Sequence, residues 1–497
     1  MPKIIPKRKE SKTNGVGSIK RNAVYNILLA VSQVLLPLVT FPYISRVLLP
    51  QGVGTYTFVD SYTQYFVLIA ALGIPIYGMR EIAKAKKNLV DRSQVFTELL
   101  SIHLLVSVFV SLFYIVSFLT LSPLKGHSQL FWIGSSLLLS NVFMMEWFFQ
   151  GMEQFPFITL RTLCIRILTV VAVFIFVKSP ADTSLYYAIN CASVFINAII
   201  NCLYARKFVK ISFHQLSLKR HFTPLLYIFS TGLVTHVYTL LDSVVLGFLT
   251  DTTQVGFYTT AVKLSKILIM ILVAFTTVLM PPLSLAYKES RYADAKTLLS
   301  KSFNYVVFMS VPLSVGIYVI AGPLILLFSG ADFLPAALSL KILSPTVLII
   351  GLSYVFGQQI INATGNEQYF LKAALIGMVI SIGFNLLLIP HIKQTGAAIT
   401  NLLVEFTVML LLTRSALQKI PFHPQWSNLA KAFISCLPFF LITYWVENTL
   451  LSPLIQLIVI ILFSGASYIS IQHFIWKNDL LLEMLTLLKK TNKGNEG

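Results

Sequence analysis

The 497-residue chain combines a mean hydropathy of +0.78 with 56% hydrophobic and only 11% charged residues. Soluble domains carry roughly 25% charged residues, so this composition excludes an ordinary soluble protein and predicts one built from membrane spans. The formal net charge of +19 does not indicate nucleic-acid binding, because Lys and Arg cluster between apolar runs, where they would face an anionic membrane leaflet.

Apolar runs of about 18 residues or more divide the chain into fourteen predicted membrane spans. The basic segment 1–21 is predicted as a cytoplasmic tail before an uncleaved first span, because the run that follows is too long for a signal peptide. A break at Pro421 and Pro424 precedes the last two spans. The predicted spans lie near residues 22–48, 55–79, 96–121, 129–150, 156–178, 184–205, 223–250, 256–285, 303–328, 335–362, 370–390, 396–413, 429–449 and 453–475.

The distribution of cations predicts the orientation of these spans. Alternate connections, on the side that holds the N-terminus, are rich in Lys and Arg, and the C-terminal tail 477–497 is basic as well. The opposite connections offer little beyond Arg46, Lys125, Lys178 and Lys393. Because positively charged loops stay in the cytoplasm, both termini are predicted to be cytoplasmic, in a multi-pass protein of the cytoplasmic (inner) membrane.

Two short phrases occur twice in the same order, which indicates an internal repeat. Val53–Tyr56 matches Val255–Tyr258, and Gly151–Phe155 matches Gly365–Tyr369, each pair separated by the length of about six spans. We therefore predict an all-α fold of two six-helix lobes, related by an axis along the membrane normal, with a cleft between them. The predicted boundaries are 22–207 for the N-lobe, 208–222 for a cytoplasmic linker, 223–419 for the C-lobe and 420–476 for two further spans.

Ionisable residues within spans are costly unless they pair or face water, so they are candidate functional residues. They are Arg46, Asp60, Glu146, Arg161, Arg166, Asp242, Lys263, Lys266, Lys341 and Glu405. A structural alternative is that they pair across the turns between neighbouring spans. The matched pairs would be Glu146 with Arg161, Asp242 with Lys263 and, less symmetrically, Asp60 with Arg46. The sequence leaves both alternatives open.

The functional interpretation is an excess of buried cations facing the cleft. Lys263 and Lys266 are three residues apart and project from one helix face, whereas Arg161 and Arg166 are five apart and do not share a face. A cleft lined by Lys and Arg favours an anionic headgroup such as a diphosphate. The predicted substrate-binding residues are Arg46, Arg161, Lys263 and Lys266. A buried carboxylate can be neutralised by a proton or a cation, so the predicted ion-coupling residues are Asp242, Glu405 and Asp60.

The sequence lacks several motifs that mark enzymes. There is no G-x-x-x-x-G-K-[ST] phosphate loop, no HExxH metal site and no nucleophile elbow. The predicted outward connections are short and carry no cluster of His, Asp and Arg of the kind expected for a membrane glycosyltransferase or polymerase. The four cysteines lie in or beside apolar runs without metal-ligand spacing. We therefore predict a protein that is not an enzyme and has no cofactor or metal.

Several segments, spread over about residues 20–415, resemble one transporter family. They are Pro42–Leu48, Gly52–Tyr56, Leu72–Ala83, Glu146–Gly151, Pro281–Ser284, Gly365–Glu367 and Gly396–Ile399. In this order they are similar to the Wzx-type flippases of O-antigen and capsule repeat units. That family is the polysaccharide-transporter branch of the multidrug/oligosaccharidyl-lipid/polysaccharide exporter superfamily, whose two six-helix lobes agree with the repeat. Residues beyond about 425 fit its twelve-helix pattern less well.

The resemblance implies translocation of undecaprenyl-diphosphate-linked oligosaccharide from the inner to the outer leaflet, for O-antigen, capsule or exopolysaccharide synthesis. It implies alternating access of the lobes, an H+ or Na+ gradient as the driving force, and a polymerase and other assembly proteins as partners. Two alternatives stay open. A cation-coupled multidrug or metabolite antiporter of the same superfamily would have a cleft richer in carboxylates and aromatics, and a membrane enzyme would need longer outward loops.

Overall fold

The computed structural model of the protein describes residues 14–211, 213, 216–420, 422–478 and 480–481. Throughout these residues the chain forms helices and connecting turns, and no strand occurs among them. The predicted all-α fold is therefore confirmed. Most of the two predicted basic tails lies outside the described residues.

The helices follow one another through short connections. In chain order they are α1 (Asn14–Ala71), α2 (Ile74–Ala85), α3 (Leu89–Thr120), α4 (Ser122–Lys125), α5 (Ser128–Val142), α6 (Glu146–Gly151), α7 (Phe155–Phe176), α8 (Thr183–Ala205), α9 (Lys219–Leu249), α10 (Thr252–Val278), α11 (Met280–Lys288), α12 (Tyr292–Ser329), α13 (Ala336–Leu343), α14 (Thr346–Ser353), α15 (Glu367–Lys419), α16 (Trp426–Ser435), α17 (Leu437–Glu447) and α18 (Pro453–Ser470). Single 3-10 turns lie at Pro180–Asp182 and Ala331–Phe333, and π-helical segments at Tyr354–Asn362 and Ile471–Ile475.

The two longest helices bend where the sequence predicts a turn between spans. In α1, Leu49 leaves the helical conformation with φ 60°, directly before Pro50; in α15, Ile392 and Lys393 do so after Pro390. Proline lacks a backbone donor and disfavours helical geometry in the preceding residue, which accounts for the break in α1. Ten helical stretches of the described chain are long and apolar enough to cross a membrane. The protein is thus a multi-pass membrane protein, while the number fourteen stays a prediction.

The chain forms two compact units. Unit 1 contains Met1–Thr40, Phe66–Lys178 and Ser184–Ser230, and unit 2 contains Phe41–Tyr65, Ser179–Thr183 and Thr231–Gly497. A large part of α1 therefore belongs to unit 2, although the chain reaches it before most of unit 1. The predicted lobe boundaries stay a prediction.

Unit 1 is centred on large aromatic side chains of α3 and α6. Phe96 and Phe148 are almost fully buried and meet edge to face, with ring centroids 5.0 Å apart. Gly78 lets α2 approach this cluster, because a Cβ at that position would lie 2.6 Å from the indole ring of Trp147. Burial of these rings fixes α2, α3 and α6 against one another.

Unit 2 has an apolar core in which the last helices take part. Phe303 of α12, Phe439 of α17 and Tyr468 of α18 belong to one buried cluster. The Tyr468 hydroxyl donates a hydrogen bond to the backbone oxygen of Phe308 at 2.9 Å, which ties α18 to α12. The C-terminal helices are therefore packed parts of unit 2.

Candidate functional site

The glycines of the repeated Val-Gly phrase lie backbone to backbone in unit 2. A Cβ on Gly54 would lie 1.6 Å from the carbonyl oxygen of Thr252, and one on Gly256 would lie 2.0 Å from that of Pro50. Thr252 comes four residues before Gly256, and Pro50 comes four residues before Gly54. The two halves of the contact are therefore equivalent, which gives it a local two-fold symmetry. Only residues without a side chain allow helices to cross this closely. The repeated phrase therefore marks a helix crossing between α1 and α10.

The tyrosines that end the same two phrases contact ionisable residues of the predicted site. The Lys263 ammonium donates a hydrogen bond to the Tyr56 hydroxyl at 2.9 Å, and its Nζ lies 4.1 Å from the ring centroid of Phe41. Tyr258, the repeat equivalent of Tyr56, donates to a carboxylate oxygen of Asp242 at 2.6 Å. Both tyrosines are site residues that the sequence prediction omits, although the repeat already pointed to their positions.

A cavity of about 250 Å³ lies inside unit 2 next to these tyrosines. Lys263, Lys266 and Glu405 line it, together with neutral polar side chains that include Ser61, Ser265, Tyr258 and Asn401. Lys263 and Lys266 thus face the same space, as their spacing of three residues predicts. Three of the predicted site residues therefore meet at one cavity within a membrane protein.

Asp242 lies behind the wall of this cavity and is almost fully buried. Its carboxylate accepts hydrogen bonds from Asn385 at 2.7 Å and from Asn401 at 3.1 Å, in addition to Tyr258. Tyr258 and Asn401 also line the cavity, so they connect the buried carboxylate to it. The Asn385 Oδ1 atom is buried, and among the described residues it has no hydrogen-bond partner.

Arg161 occupies a different setting, in unit 1. Its guanidinium donates to Glu146 Oε1 at 2.8 Å and to Asn201 Oδ1, while the Asn201 amide donates to the Met144 backbone oxygen. The exposed fraction of the Arg161 side chain is 3%. The structural alternative, a pair between Glu146 and Arg161, is therefore confirmed. In this arrangement the Arg161 guanidinium binds protein groups and does not face a described cavity.

The two remaining predicted site residues, Arg46 and Asp60, contact protein groups within unit 2. Arg46 donates to the backbone oxygen of Leu327 at 2.6 Å, in the last turn of α12. A cation at a helix C-terminus can donate a hydrogen bond to a carbonyl that has no partner within the helix. It also interacts favourably with the negative end of the helix dipole. Asp60 accepts a hydrogen bond from Gln64, one turn later in α1, at 3.4 Å. Both contacts are compatible with a structural role.

Arg166 is a candidate that the predicted site leaves out. It lines a second cavity, of about 280 Å³, in unit 1, together with Ser32, Thr40, Asn190 and Ser193. Its guanidinium donates to the Ser32 hydroxyl at 2.8 Å. The five-residue spacing correctly separates Arg166 from Arg161, because one faces a polar cavity and the other the core.

Comparison with known proteins identifies the family. The sequence model of the family described as "Polysaccharide biosynthesis protein" matches residues 19–286. The chain belongs to this family. A relative in Escherichia coli K12, an O-antigen transporter candidate, is 25% identical over 399 residues, which cover 80% of this chain and 96% of that protein. The resemblance of the sequence segments to polysaccharide flippases is therefore confirmed.

Solved structures support the fold of this polysaccharide biosynthesis family member. An inward closed conformation of the lipid II flippase MurJ matches with a TM-score of 0.72 at 15% identity, covering 91% of this chain and 99% of that one. An inward-facing multidrug transporter of the MATE family matches with a TM-score of 0.62 at 13% identity, covering 80% and 98%. At these identities the similarity shows the fold alone. The family and its relatives are transporters and flippases, so the prediction that the chain is not an enzyme is confirmed.

Proposed function

We propose that the protein is a flippase for undecaprenyl-diphosphate-linked oligosaccharide. It moves repeat units from the inner to the outer leaflet of the cytoplasmic membrane by alternating access, with both termini in the cytoplasm. The observation that carries the proposal is the cavity of unit 2, in which Lys263 and Lys266 face a space lined by both polar and apolar side chains inside a membrane protein. Membership of the polysaccharide biosynthesis family and the O-antigen transporter candidate among its relatives support the choice of substrate class.

The two lysines are suited to bind a diphosphate. The Tyr56 hydroxyl accepts a hydrogen bond from the Lys263 ammonium, and the Phe41 ring lies beside it, so both groups orient this ammonium. Lys266 extends from the same helix face into the cavity. Ammonium groups that meet a phosphate in a low-dielectric cavity form charge-assisted hydrogen bonds, which are stronger than neutral ones. The diphosphate would lie against the lysines while the prenyl chain remains in lipid.

Neutral polar groups in the same cavity are suited to sugar hydroxyls. Asn401 and Ser61 line the cavity beside the lysines. The Ser265 hydroxyl is buried there, and it has no hydrogen-bond partner among the described residues. A hydroxyl-rich ligand would satisfy such groups, which are otherwise costly to leave unpaired.

Ion coupling is assigned in this proposal to Asp242, with Glu405 as a second carboxylate at the cavity. Asp242 is surrounded by side-chain donors, and the unpaired Asn385 Oδ1 atom lies on the amide that binds it. A proton would neutralise the Asp242 carboxylate, and Na+ would be coordinated by oxygens of the same groups. Asp60, the third predicted coupling residue, accepts a hydrogen bond from Gln64.

Arg46 and Arg161 contribute less to the proposal than the lysines do. Each would have to leave a protein partner, the Leu327 carbonyl or the Glu146 carboxylate, before binding a diphosphate. The proposed diphosphate site therefore rests on Lys263 and Lys266.

The proposal is tested with the purified full-length protein in liposomes. A fluorescent prenyl-diphosphate-linked oligosaccharide is placed in the bilayer, and its appearance in the opposite leaflet is followed with a membrane-impermeant quencher. We expect translocation that depends on the protein and on an applied H+ or Na+ gradient. Protein-free liposomes and a fluorescent phosphatidylcholine serve as controls. If the oligosaccharide crossed no faster than in protein-free liposomes under either gradient, the proposal would be rejected.

A cation-coupled multidrug antiporter is the second candidate function. Glu405 lines the cavity and Asp242 lies directly behind it, so the site contains carboxylates as well as lysines. Carboxylates in a cleft favour cationic drugs. The same liposomes, loaded with a cationic fluorescent dye, separate the candidates: gradient-driven dye export without oligosaccharide translocation would identify the antiporter.

A further inference from the structure

A second polar cavity of unit 2 lies away from the proposed glycan site, where α12 meets α16 and the end of the last helix. Its volume is about 330 Å³. Side-chain amides and the two lysines Lys431 and Lys477 dominate its lining, and no Asp or Glu is present among the described residues that line it. A cavity with this lining has a net positive charge and many fixed hydrogen-bonding groups.

One wall is built by three amides that bind each other. The Asn428 amide donates to Asn304 Oδ1 at 3.1 Å and to Gln425 Oε1 at 2.8 Å, and Asn304 donates to Gln425 Oε1 at 2.9 Å. Asn304 belongs to α12, whereas Gln425 and Asn428 belong to the start of α16. The wall is therefore positioned by hydrogen bonds between two helices before any ligand arrives.

The opposite wall is formed by the π-helical segment Ile471–Ile475 and the residues after it. The Ser435 hydroxyl accepts hydrogen bonds from Gln472 Nε2 and from the Trp476 indole, both at 3.1 Å. Asn478 donates to Gln472 Oε1 at 2.7 Å. π-helical segments are rare and occur frequently at functional sites. This wall is as fixed as the first.

The cations of the cavity lie beside an aromatic ring. Lys431 Nζ is 5.6 Å from the ring centroid of Trp476, and Lys477 has a left-handed backbone with φ 47°. A non-glycine residue in that conformation is strained and commonly belongs to a site. Two lysines with no acid in the lining favour an anion, while the amides and the Trp476 ring favour a neighbouring group with hydroxyls.

The surface around the cavity is that of a membrane interface. Trp426, Phe474 and Ile475 belong to the same elements, and 45%, 75% and 65% of their surfaces are exposed. Aromatic residues and lysines near the end of a spanning helix are typical of the boundary between lipid tails and water. Ligand cavities run from about 300 to 1,000 Å³, so this one is large enough for a headgroup and too small for a whole lipid.

The geometry points to a binding site for the phosphate and hydroxyls of an anionic glycerophospholipid headgroup, such as that of phosphatidylglycerol. The acyl chains lie along the exposed apolar residues beside the cavity. The predicted orientation puts this site in the cytoplasmic leaflet, since it adjoins the start of the basic C-terminal segment. This site is separate from glycan transport and gives the last helices a role of their own.

Native mass spectrometry of the full-length, delipidated protein tests the assignment. The protein is titrated with phosphatidylglycerol, with phosphatidylcholine and with soluble glycerol 1-phosphate. We expect phosphatidylglycerol to bind most tightly of the three. The double variant Lys431→Gln/Lys477→Gln should lower the affinity for phosphatidylglycerol about tenfold or more, because each lysine near an anionic headgroup contributes to the binding free energy. Lys431→Arg with Lys477→Arg keeps both charges and retains binding.

A matched control removes two lysines elsewhere in unit 2. Lys372 and Lys419 both lie close to the ring of Tyr369, at 5.8 and 5.3 Å, and neither lines the cavity. Lys372→Gln with Lys419→Gln should bind phosphatidylglycerol like the wild type. Equal binding by the cavity variant and the wild type overturns the site. Glycerol 1-phosphate binding as tightly as phosphatidylglycerol, or no preference over phosphatidylcholine, overturns the lipid assignment.

Discussion

Arg161 of unit 1 and the lysines of unit 2 are buried cations in opposite settings. Arg161 of unit 1 lies in the core, where Glu146 and Asn201 bind its guanidinium. Lys263 and Lys266 of unit 2 extend into a cavity, where Lys263 donates a hydrogen bond to the Tyr56 hydroxyl and lies over the Phe41 ring. Sequence alone ranks these residues together, because all are cations inside apolar segments.

The difference lies in what surrounds the charge. A carboxylate and an amide satisfy a guanidinium locally, and such a group contributes to the fold by holding helices together. An ammonium that faces a cavity is in a position to meet a ligand there. A buried cation in a membrane protein is therefore a candidate ligand site chiefly when a cavity lies in front of it.

Replacement of Arg161 should have the largest effect, and the effect should be on stability. Arg161→Ala leaves Glu146 and the buried Asn201 without their partner, so we expect a loss of about 3 kcal/mol in the free energy of unfolding. This loss is at the low end of the range for broken buried ion pairs. The reason is that 37% of the Glu146 side chain is exposed, so water can partly solvate the carboxylate that is left behind. Thermal unfolding in detergent measures it, with the Glu146→Ala and double variants completing a cycle. A stable Arg161→Ala protein that failed to translocate glycan would reverse the comparison.

The opposite result is expected for the lysines of unit 2. Lys263→Ala combined with Lys266→Ala removes two charge-assisted hydrogen bonds to the substrate, which should lower translocation about 100-fold. The unfolding temperature should fall less than in Arg161→Ala, because the two lysines line a cavity rather than the packed core. The Lys372→Ala/Lys419→Ala protein is the control for lost charge. Translocation at the wild-type rate in the cavity variant would remove the diphosphate site from the proposal.

A smaller effect is expected at the carboxylate behind the cavity. Asp242→Asn keeps the size of the side chain but removes the charge that a proton or Na+ would neutralise, so we expect translocation to fall about tenfold and to lose its response to the ion gradient. Rates in liposomes with and without each gradient measure this. Glu405→Gln, made in parallel, distinguishes the two carboxylates. An unaltered gradient response in Asp242→Asn would assign coupling elsewhere.

The smallest effect on translocation is expected for a substitution of Tyr56, and it tests whether the hydroxyl orients Lys263. Tyr56→Phe removes the hydroxyl that accepts a hydrogen bond from Lys263, and a single bond of this kind corresponds to about 1 kcal/mol, or roughly fivefold in translocation. Tyr444→Phe, at an exposed position, is the matched control. Equal rates for both variants would mean that the hydroxyl does not orient the lysine.

Local rules predicted much of this arrangement. The three-residue spacing placed Lys263 and Lys266 on one face, and the pairing across a turn between neighbouring spans matched Glu146 with Arg161. Both follow from helix geometry along a short stretch of chain. The same rules could not choose between a structural and a ligand-binding Arg161, because its second partner, Asn201, comes from another helix.

Contacts between distant segments escaped prediction. Arg46 donates its hydrogen bond to the backbone carbonyl of Leu327, which lies 281 residues further along the chain. No spacing rule connects these two residues. The repeat marked Tyr56 and Tyr258 as equivalent, yet the partners of their hydroxyls depend on how the helices cross. The cavity in front of Arg166 likewise requires the positions of three helices, which the sequence does not provide.

The backbone contact of Gly54 with α10 has a genetic consequence. Every single-base change of a glycine codon that alters the amino acid adds at least one carbon, and each addition at Gly54 or Gly256 would meet a peptide carbonyl. A peptide carbonyl is the same in every residue, so no replacement at Pro50 or Thr252 can make room for it. Revertants selected from such a mutant would restore the glycine or move the helices apart from a distance.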